Sequence, residues 1–334
     1  MKKILVLLFC VPFLGITQNT VCFTIDPNPN SNDPALSVFT KYIDVLGCFS
    51  IYAENSISDE KVLHAAAVAA ELLDNNEDGI VDDPVIKSQL LSENALMPIF
   101  SSEGSYAENI FFNNYNGDGV SAVLFNNEID PSQPGHWGDD ASVEEILHTI
   151  NACGQLEVYP EAFGLDPNSS LMSDAMDIAR GGQFINIPNQ YPEEAWYHYD
   201  DWTCDYQCMG IEYLYWCIVT DMGILNDTQT CNGIANEWEP CTPSLFESTD
   251  VAMHAIVNDP QYKLPQLAPD GNYCPSELIL GDLNFDGGIN IQDVILMVNL
   301  VLDNEYNLSG DFNSDSTIDI LDVIQLINLI LREI

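Results

Sequence analysis

The sequence predicts an α+β main domain that is mostly helical, followed by a small all-α module with two calcium loops. One apolar run, VSAVLF at 120–125, is typical of a strand, whereas helical patterns dominate the rest of the main domain. An internal repeat fills the C-terminal end, and three prolines between 264 and 281 separate it from the domain before it. The helical patterns lie at 59–73, 141–152, 171–180, 205–222 and 243–257.

The first 17 residues have the pattern of a signal peptide. Lys2 and Lys3 precede an apolar run that ends at Leu14. The run is too short to cross a bilayer, and no later stretch reaches the ~20 apolar residues that a span requires. We therefore expect a secreted protein, extracellular or associated with the cell surface, without a membrane span. The predicted segments are the signal peptide at 1–17, a flexible lead-in at 18–34, the main domain at 35–267, a linker at 268–280 and the C-terminal module at 281–334.

The charge balance is strongly acidic, with 52 Asp and Glu against 8 Lys and Arg and a formal net charge of −44. Nucleic acids and anionic membranes bind cationic surfaces, so the sequence excludes both as partners. Divalent cations inside the fold would neutralise part of this charge. Adaptation to a saline medium is the alternative explanation.

Nine cysteines remain once the signal peptide is removed, and in an exported chain such residues usually pair. The cluster between Cys204 and Cys241 predicts local disulfides, and the odd number predicts one free thiol. The nine are Cys22, Cys48, Cys153, Cys204, Cys208, Cys217, Cys231, Cys241 and Cys274.

The C-terminal repeat has the spacing of paired calcium loops. Residues 282–302 overlay 311–331 at an offset of 29, with 11 of 21 positions identical. Calcium takes about six to eight oxygens, and a turning loop brings alternate residues onto one ion, with a main-chain carbonyl at position 7. The expected ligands are Asp282, Asn284, Asp286, the Gly288 carbonyl, Asn290 and Asp293 in the first loop, and Asp311, Asn313, Asp315, the Thr317 carbonyl, Asp319 and Asp322 in the second.

Each of these loops is followed by a helical pattern but not preceded by one. Ile289 and Ile318, at loop position 8, are expected to pair the loops, and an apolar stripe is expected to pack the two helices together. In this arrangement residues 281–334 resemble a type I dockerin. The resemblance implies two calcium ions, folding coupled to calcium, and docking onto a cohesin-like receptor or another cell-surface component. The stripe consists of Val294, Ile295, Val298 and Leu302 with Val323, Ile324, Ile327 and Leu331.

A third loop at 74–83 (DNNEDGIVDD) follows the same spacing rule. Its position 12 is Val85, so the usual bidentate acid is missing, although Asp83 is close enough in sequence to substitute. We expect a third calcium ion here, and a plain turn after the preceding helix is the alternative. The expected ligands are Asp74, Asn76, Asp78, the Ile80 carbonyl and Asp82.

Residues 143–152 (VEEILHTINA) place a candidate metal site on a helix. Glu144 and His148 are four residues apart, so both can reach one ion, and Glu145 between them can activate a bound water. The pattern resembles the HExxH motif of zincin metallopeptidases with Glu in place of the first His, which implies zinc or another divalent transition metal. Glu212 is the first choice for a third ligand and His198 the second. A solvated polar helix face is the alternative.

Residues 191–216 combine nine Tyr or Trp residues with acidic side chains. Such a segment can line a carbohydrate site, where aromatic faces stack on sugar rings and two carboxylates do acid/base work. The alternative is core packing around Tyr213, Leu214 and Trp216, held by Cys204, Cys208 and Cys217. The candidate substrate contacts are Trp196, Tyr197, His198 and Trp202, and the candidate acids are Asp200, Asp201, Asp205 and Glu212.

Arg180 is the only arginine before the last three residues of the chain. Asp174 and Asp177 precede it on the same predicted helix, so a structural ion pair is expected. A clamp for a substrate carboxylate is the alternative.

Three functions fit these motifs. The first is metal-dependent hydrolysis, most simply of peptides, with Glu144, His148 and Glu212 as ligands and Glu145 as general base. The second is a carbohydrate-active enzyme or polysaccharide-binding component, and the third is a noncatalytic calcium-dependent adhesion or surface protein. Stretches such as YPEAFG and AWYHYDDWTCDYQC make residues 35–270 similar to a poorly characterised family of exported, marine-bacterial-type proteins, which implies no particular activity.

Overall fold

The main domain is built on a five-stranded mixed sheet whose strands lie side by side in chain order. The structure is a computed structural model that describes residues 23–274, 280–284, 288–303, 306–313, 315 and 317–332. The predicted signal peptide, Cys22 and Asp286 lie outside the described residues. The strands are β1 (Asp26–Pro27), β2 (Lys41–Val45), β3 (Phe49–Ala53), β4 (Leu96–Phe100) and β5 (Leu124–Phe125).

The connections between the strands produce the mixed topology. β2 and β3 pair antiparallel through a tight turn in which Leu46 and Gly47 both have positive φ. β3 and β4 are parallel, so the chain crosses over through α1 (Asp59–Leu73) and α2 (Pro84–Glu93). α3 (Tyr106–Asn114) connects β4 to its parallel neighbour β5.

α1 is the central helix of the main domain, and it spans the predicted residues 59–73. Eleven of its 15 residues are buried, because its alanines allow close packing against β3 and against α4 (Ser142–Ile150). Ser58 occupies the N-cap position, although its side chain makes no capping hydrogen bond.

The second half of the main domain is helical, so the predicted α+β class is confirmed. α4 continues directly into a π turn over Asn151–Gln155. The predicted helix at 243–257 is two helices that meet at Asp250, whose carboxylate accepts the Met253 N–H and caps the second one. The remaining helices of this half are α5 (Leu156–Val158), α6 (Pro160–Phe163), α7 (Leu171–Ala179), α8 (Tyr206–Asp221), α9 (Thr228–Ile234), α10 (Pro243–Thr249) and α11 (Val251–Val257).

The predicted strand at 120–125 is wrong over most of its length. Only Leu124 and Phe125 pair, both with β4, while the Ala122 N–H donates to the Thr149 hydroxyl. β3 and β4 were not predicted, because burial on both faces removes the polar alternation that marks a strand in sequence. β4, for example, is buried at all five positions.

Two disulfides, Cys204–Cys208 and Cys231–Cys241, confirm the prediction of local disulfides in this cluster. The expectation of a single free thiol is wrong, because Cys48, Cys153 and Cys217 are all free and buried. Cys217 was expected to help hold α8 in place through a disulfide. It lies instead on a fully buried face of that helix, where a thiol packs as a small apolar group.

The C-terminal module consists of α12 (Ile291–Asp303) and α13 (Ile320–Arg332), packed around a small apolar core. Ile289 and Ile318, which were expected to pair the two loops, both pack against this core. The predicted stripe is wrong beyond Val294 and Val323, because the buried row continues three residues later, through Met297 and Leu326. The other stripe residues are exposed: Ile295, Val298, Leu302, Ile324, Ile327 and Leu331. In the described part of the chain, no helix combines the length and apolarity needed to cross a membrane.

The segment expected to begin the linker is docked onto α1 and the loop after it. The N–H groups of Asp270 and Gly271 donate to the Glu71 carboxylate at 3.1 and 3.0 Å. Tyr273 is buried, and its hydroxyl donates to Asp74 at 2.6 Å. The packed main domain therefore continues at least to residue 273.

Candidate metal centre

The N-terminal end of α4 is held by the buried carboxylate of Asp140. His64 Nε2, on α1, lies 3.0 Å from this carboxylate, and the Gly135 N–H and the Ser142 hydroxyl donate to it at 2.8 Å each. Burial alone would raise the pKa of Asp140, but hydrogen bonds from His64 and Gly135 hold it below its ordinary value. The charged carboxylate thus fixes the start of α4 against α1.

The three residues chosen from the sequence as metal ligands meet between α4 and α8. One ligand atom each from Glu144, His148 and Glu212 lie within 4.8 Å of one another. The distance from His148 Nε2 to Glu212 Oε2 is 3.6 Å. His198, the second choice, does not join this group, because its Nε2 lies 2.8 Å from the Ala195 carbonyl oxygen.

His148 is the most buried member of this metal triad, with 6% of its surface exposed. Its ring centroid lies 5.6 Å from that of Tyr215. Burial lowers the pKa of His148 to about 4, so the imidazole is neutral near pH 7, which is the form that binds a metal. The alternative of a solvated helix face is therefore wrong at this residue.

The carboxyl groups of the site are crowded together. Burial, followed by repulsion from neighbouring carboxylates, raises the pKa of Glu144 to about 7, that of Glu212 to about 8 and that of Glu145 to about 9. Glu128 and Glu237 add to this repulsion. Because a divalent cation stabilises ionised carboxylates, binding of one would lower all three pKa values.

Tyr199, Tyr215 and Glu237 belong to the site but were not identified from the sequence. Hydrogen bonding from Tyr215 to Glu144, and from Tyr199 to Glu212, opposes the rise in the pKa of each carboxyl. Tyr215 follows Glu212 by three residues on α8, so helical spacing could have pointed to it. Tyr199 and Glu237 come from loops, and no sequence signal places them here.

The π turn extends the polar face of α4 away from the triad. Asn151 follows His148 by three residues, and Asn151 and Gln155 are 1% and 3% exposed. Both amide atoms of Asn151, Gln155 Oε1 and His148 Nδ1 have no hydrogen-bond partner within the described residues. π turns are frequent at functional sites, and this one adds two buried amides at the C-terminal end of α4.

The two C-terminal loops are each closed by the acid at position 12. The Asp293 carboxylate accepts the backbone N–H groups of loop positions 2, 3 and 9, at 2.9, 3.2 and 2.8 Å. Asp322 accepts those of positions 2 and 9 in its own loop, both at 3.0 Å. Both acids are fully buried. Each loop is therefore folded around an oxygen pair contributed by the helix that follows it.

The acids at position 1 of these loops, Asp282 and Asp311, are also buried. In the second loop, the Asp315 N–H donates to Asp311 Oδ1 at 3.1 Å and to Asn313 Oδ1 at 2.9 Å, so these oxygens converge. Asn284, Gly288, Asn290, Thr317 and Asp319 are described as well, whereas Asp286 is not.

The loop after α1 begins in the same way. The Asp78 N–H donates to Asp74 Oδ1 at 3.2 Å and to Asn76 Oδ1 at 3.1 Å, and the Ile80 N–H donates to Asp78 Oδ1 at 2.9 Å. Asp82 accepts the N–H of position 2 at 3.0 Å. Asp74, Asn76 and Asp78 therefore share the hydrogen-bond pattern of the second C-terminal loop. Asp82, at position 9, accepts the position-2 N–H that the position-12 acid accepts in that loop.

The end of this loop differs from that pattern. Val85, at position 12, is 54% exposed. Asp83 caps α2 by accepting the N–H groups of Val85 and Ile86, and it also accepts the Tyr159 hydroxyl at 2.6 Å. Asp83 is therefore committed to the helix and does not replace the missing acid.

Most of the aromatic segment at 191–216 belongs to the core. This agrees with core packing, the alternative to a carbohydrate site. Tyr197 is 0% exposed, and its hydroxyl donates to the Met209 carbonyl, so its expected stacking on a sugar is wrong. Trp196 is half-buried and donates to Asp250. Trp202, in contrast, is 84% exposed. Asp205, a candidate acid, caps α8 by accepting the Cys208 N–H.

No protein-family model, curated protein or solved structure matches this chain. The fold and the site define an α+β protein with two carboxylates and one neutral imidazole converging between two packed helices.

Proposed function

We propose that this protein is an exported, metal-dependent hydrolase, most simply a zincin-like peptidase. The observation that carries the proposal is the convergence of Glu144, His148 and Glu212 within 4.8 Å. Two carboxylates and a neutral imidazole suit a divalent ion such as Zn²⁺ or Mn²⁺. Three protein ligands leave coordination positions open for water and substrate.

Glu145 is the general base in this proposal. It neighbours Glu144 on α4, and its carboxyl is influenced electrostatically by both Glu144 and Glu212. With a cation bound, its pKa would fall below the value of about 9, and the carboxylate would accept a proton from an attacking water. The Tyr199 and Tyr215 hydroxyls would orient the carboxylates of Glu212 and Glu144 toward the ion, since hydrogen bonding from these tyrosines opposes the rise in the pKa of each carboxyl.

Elemental analysis of residues 18–334, dialysed in calcium buffer, tests this proposal. We expect about one equivalent of a transition metal in the wild-type protein and none in His148→Ala. His254→Ala is the matched control, because His254 also faces a carboxylate, Asp221 at 3.5 Å, but lies outside the triad. Calcium alone in the wild type would overturn the metal site.

A second variant separates metal binding from catalysis. Glu145→Gln is expected to keep the metal and to lose hydrolysis of peptide substrates by about 100-fold or more, because the general base is gone. Unchanged peptide hydrolysis in this variant would contradict the role of Glu145.

We also propose that the C-terminal module binds two calcium ions and docks the chain onto a partner. The buried acids Asp293 and Asp322 at the two position-12 sites support calcium binding. The exposed apolar residues of α12 and α13 form a surface suited to a protein partner, such as a cohesin-like receptor or another cell-surface component. Ile291 and Ile320, where cellulosomal dockerins often have small hydroxyl residues, make this surface more apolar than theirs.

Circular dichroism of the full chain tests the calcium part of this proposal. Adding EGTA to the wild type is expected to remove the helical signal of α12 and α13, and excess calcium is expected to restore it. The double variant Asp293→Asn/Asp322→Asn is expected not to respond. A wild-type signal that is insensitive to EGTA would overturn the module's calcium dependence.

A noncatalytic adhesion protein is the second candidate function. The exposed apolar surface of α12 and α13 favours an adhesion protein as much as a docked hydrolase, because docking does not require a catalytic site. The metal analysis of wild type and His148→Ala separates it from a hydrolase.

A further inference from the structure

Arg180 is a fully buried cation at the C-terminal end of α7. Gly181 and Gly182 turn the chain back, so that Phe184 lies against the guanidinium. Arg180 Nη2 donates to the Phe184 carbonyl oxygen at 2.8 Å. Nε and Nη1 have no hydrogen-bond partner among the described residues.

The expected ion pair with Asp174 or Asp177 is absent. The Asp177 carboxylate accepts the Tyr206 hydroxyl at 3.0 Å and the Gln183 side-chain amide at 2.8 Å. In the described part of the chain, no carboxylate oxygen lies within 4.0 Å of the guanidinium, although the sequence contains 52 acidic residues. The positive charge therefore has no counterion within 4.0 Å among the residues that the structure describes.

Three aromatic rings surround the guanidinium. The centroids of Phe184, Tyr191 and Tyr206 lie 5.4, 5.9 and 5.8 Å from Arg180 Cζ. Ring faces attract a cation, but they offer no lone pairs to the three N–H groups on Nε and Nη1. The Tyr191 hydroxyl donates to the Tyr199 carbonyl at 2.6 Å, and the charge of Arg180 and hydrogen bonding from its guanidinium oppose the rise that burial causes in the Tyr191 pKa. This neutral hydroxyl does not balance the positive charge.

We propose that Arg180 holds a small monovalent anion, a chloride ion, inside this cage of Phe184, Tyr191 and Tyr206. A buried charge requires a counterion, and a buried N–H group requires an acceptor. A chloride ion supplies both from a single atom. Full burial of Arg180 disfavours a larger carboxylate ligand, and a water molecule would accept a hydrogen bond without neutralising the charge. Tyr191 connects this cage to the candidate metal site through the Tyr199 carbonyl, but the chloride proposal does not depend on the proposed hydrolase activity.

The test compares sodium chloride with sodium isethionate at equal ionic strength and equal calcium, so that general screening of the acidic chain is the same. The Tm of the wild type is expected to be about 2–4 °C higher in chloride, with a saturable dependence. Arg180→Met is expected to lose this difference. Lys87→Met is the matched control, because it also removes one positive charge but lies on α2, and it is expected to keep the difference.

Bromide makes the site directly visible, even if Arg180→Met does not fold. Crystals of the wild-type protein grown in bromide are expected to show an anomalous peak beside Arg180 Nε or Nη1. Equal Tm values in the two salts, a difference that persists in Arg180→Met, or the absence of this peak would each overturn the proposal.

Discussion

The loop after α1 and the second loop of the C-terminal module begin alike and close differently. In both, the position-1 carboxylate accepts the N–H of position 5, at 3.2 and 3.1 Å. Both position-1 carboxylates also accept a tyrosine hydroxyl, from Tyr273 at 2.6 Å and from Tyr306 at 3.2 Å. Tyr306 is five residues from its acid, whereas Tyr273 is 199 residues away.

The closing group is the main difference between these loops. Asp322, at position 12 of the C-terminal loop, lies on α13 and accepts two backbone N–H groups of the loop. Position 12 of the loop after α1 is Val85, which has no carboxylate and is exposed. The loop after α1 is covered instead by the docked segment that contains Asp270 and Tyr273. Spacing alone therefore builds the first half of such a loop. The second half is closed by the position-12 acid in the C-terminal loop, and by Asp82 together with the docked segment in the loop after α1.

Asp322→Ala is expected to have the largest effect on this comparison. It leaves two loop N–H groups without their acceptor in a buried place, which costs about 2–6 kcal/mol in the free energy of unfolding of the module. The number of calcium ions bound per chain should also fall by one. Thermal denaturation followed by circular dichroism, with a calcium count, measures both. Val85→Ala, the same position in the other loop, should change stability by less than ~0.5 kcal/mol. Equal effects would break the comparison.

The second-largest effect is expected from Glu71, which binds the segment that covers the loop after α1 and should make its stability depend on pH. Burial raises the pKa of Glu71 from 4.5 to about 7. The folded protein therefore holds a proton on Glu71 that the unfolded chain releases. This contribution to the free energy of unfolding is fully present below pH 4.5 and is lost as the pH rises through 7, by roughly 1–3 kcal/mol. In calcium-free buffer, the Tm of the wild-type main domain should fall more steeply over this range than that of Glu71→Gln. Parallel curves for the two proteins would contradict this assignment.

Tyr273 and Tyr306 each donate a hydroxyl to the position-1 acid of one loop, and removing each hydroxyl separately measures its contribution to stability. Tyr273 is 4% exposed and bonds a carboxylate, so Tyr273→Phe should cost about 1–3 kcal/mol in the free energy of unfolding. Tyr306 is 52% exposed, and Tyr306→Phe should cost less than ~1 kcal/mol. Chemical denaturation of both variants provides the measurement. A larger loss in Tyr306→Phe would reverse the comparison.

Val85→Asp is expected to give the smallest effect and would sharpen the comparison by supplying the missing acid. Calcium affinity of the loop after α1 should rise about tenfold, equivalent to ~1.4 kcal/mol. Isothermal titration calorimetry measures the change. Val85→Asn, which has the same size but no charge, should gain less. An affinity equal to that of the wild type would show that the loop after α1 is not a calcium site of this type.

Local spacing was enough to predict the features that depend on neighbours in sequence. The bounds of α1 were predicted because its alanine-rich run has high helix propensity throughout. Glu144 and His148 were paired because residues four apart share a helix face. The short separations within 204–241 likewise predicted local disulfides, and the structure gives their pairing as Cys204–Cys208 and Cys231–Cys241.

The same reasoning failed where several arrangements share one local pattern. α12 and α13 carry apolar residues on more than one row, so sequence alone did not select Met297 and Leu326 over the exposed Ile295 and Ile324. Arg180 has aspartates at helical spacing, but packing turns its side chain toward three aromatic rings instead.

The sequence by itself determined the mostly helical α+β class, the repeated loops and the residues on one face of α4. Only the tertiary structure decided that Glu212 reaches His148, that His148 is buried and neutral, and that Tyr197 belongs to the core. The physical reason is that local geometry depends on residues a few positions apart. Burial, charge state and the closing of a site depend on whatever packs opposite, and the chain supplies those groups from distant positions.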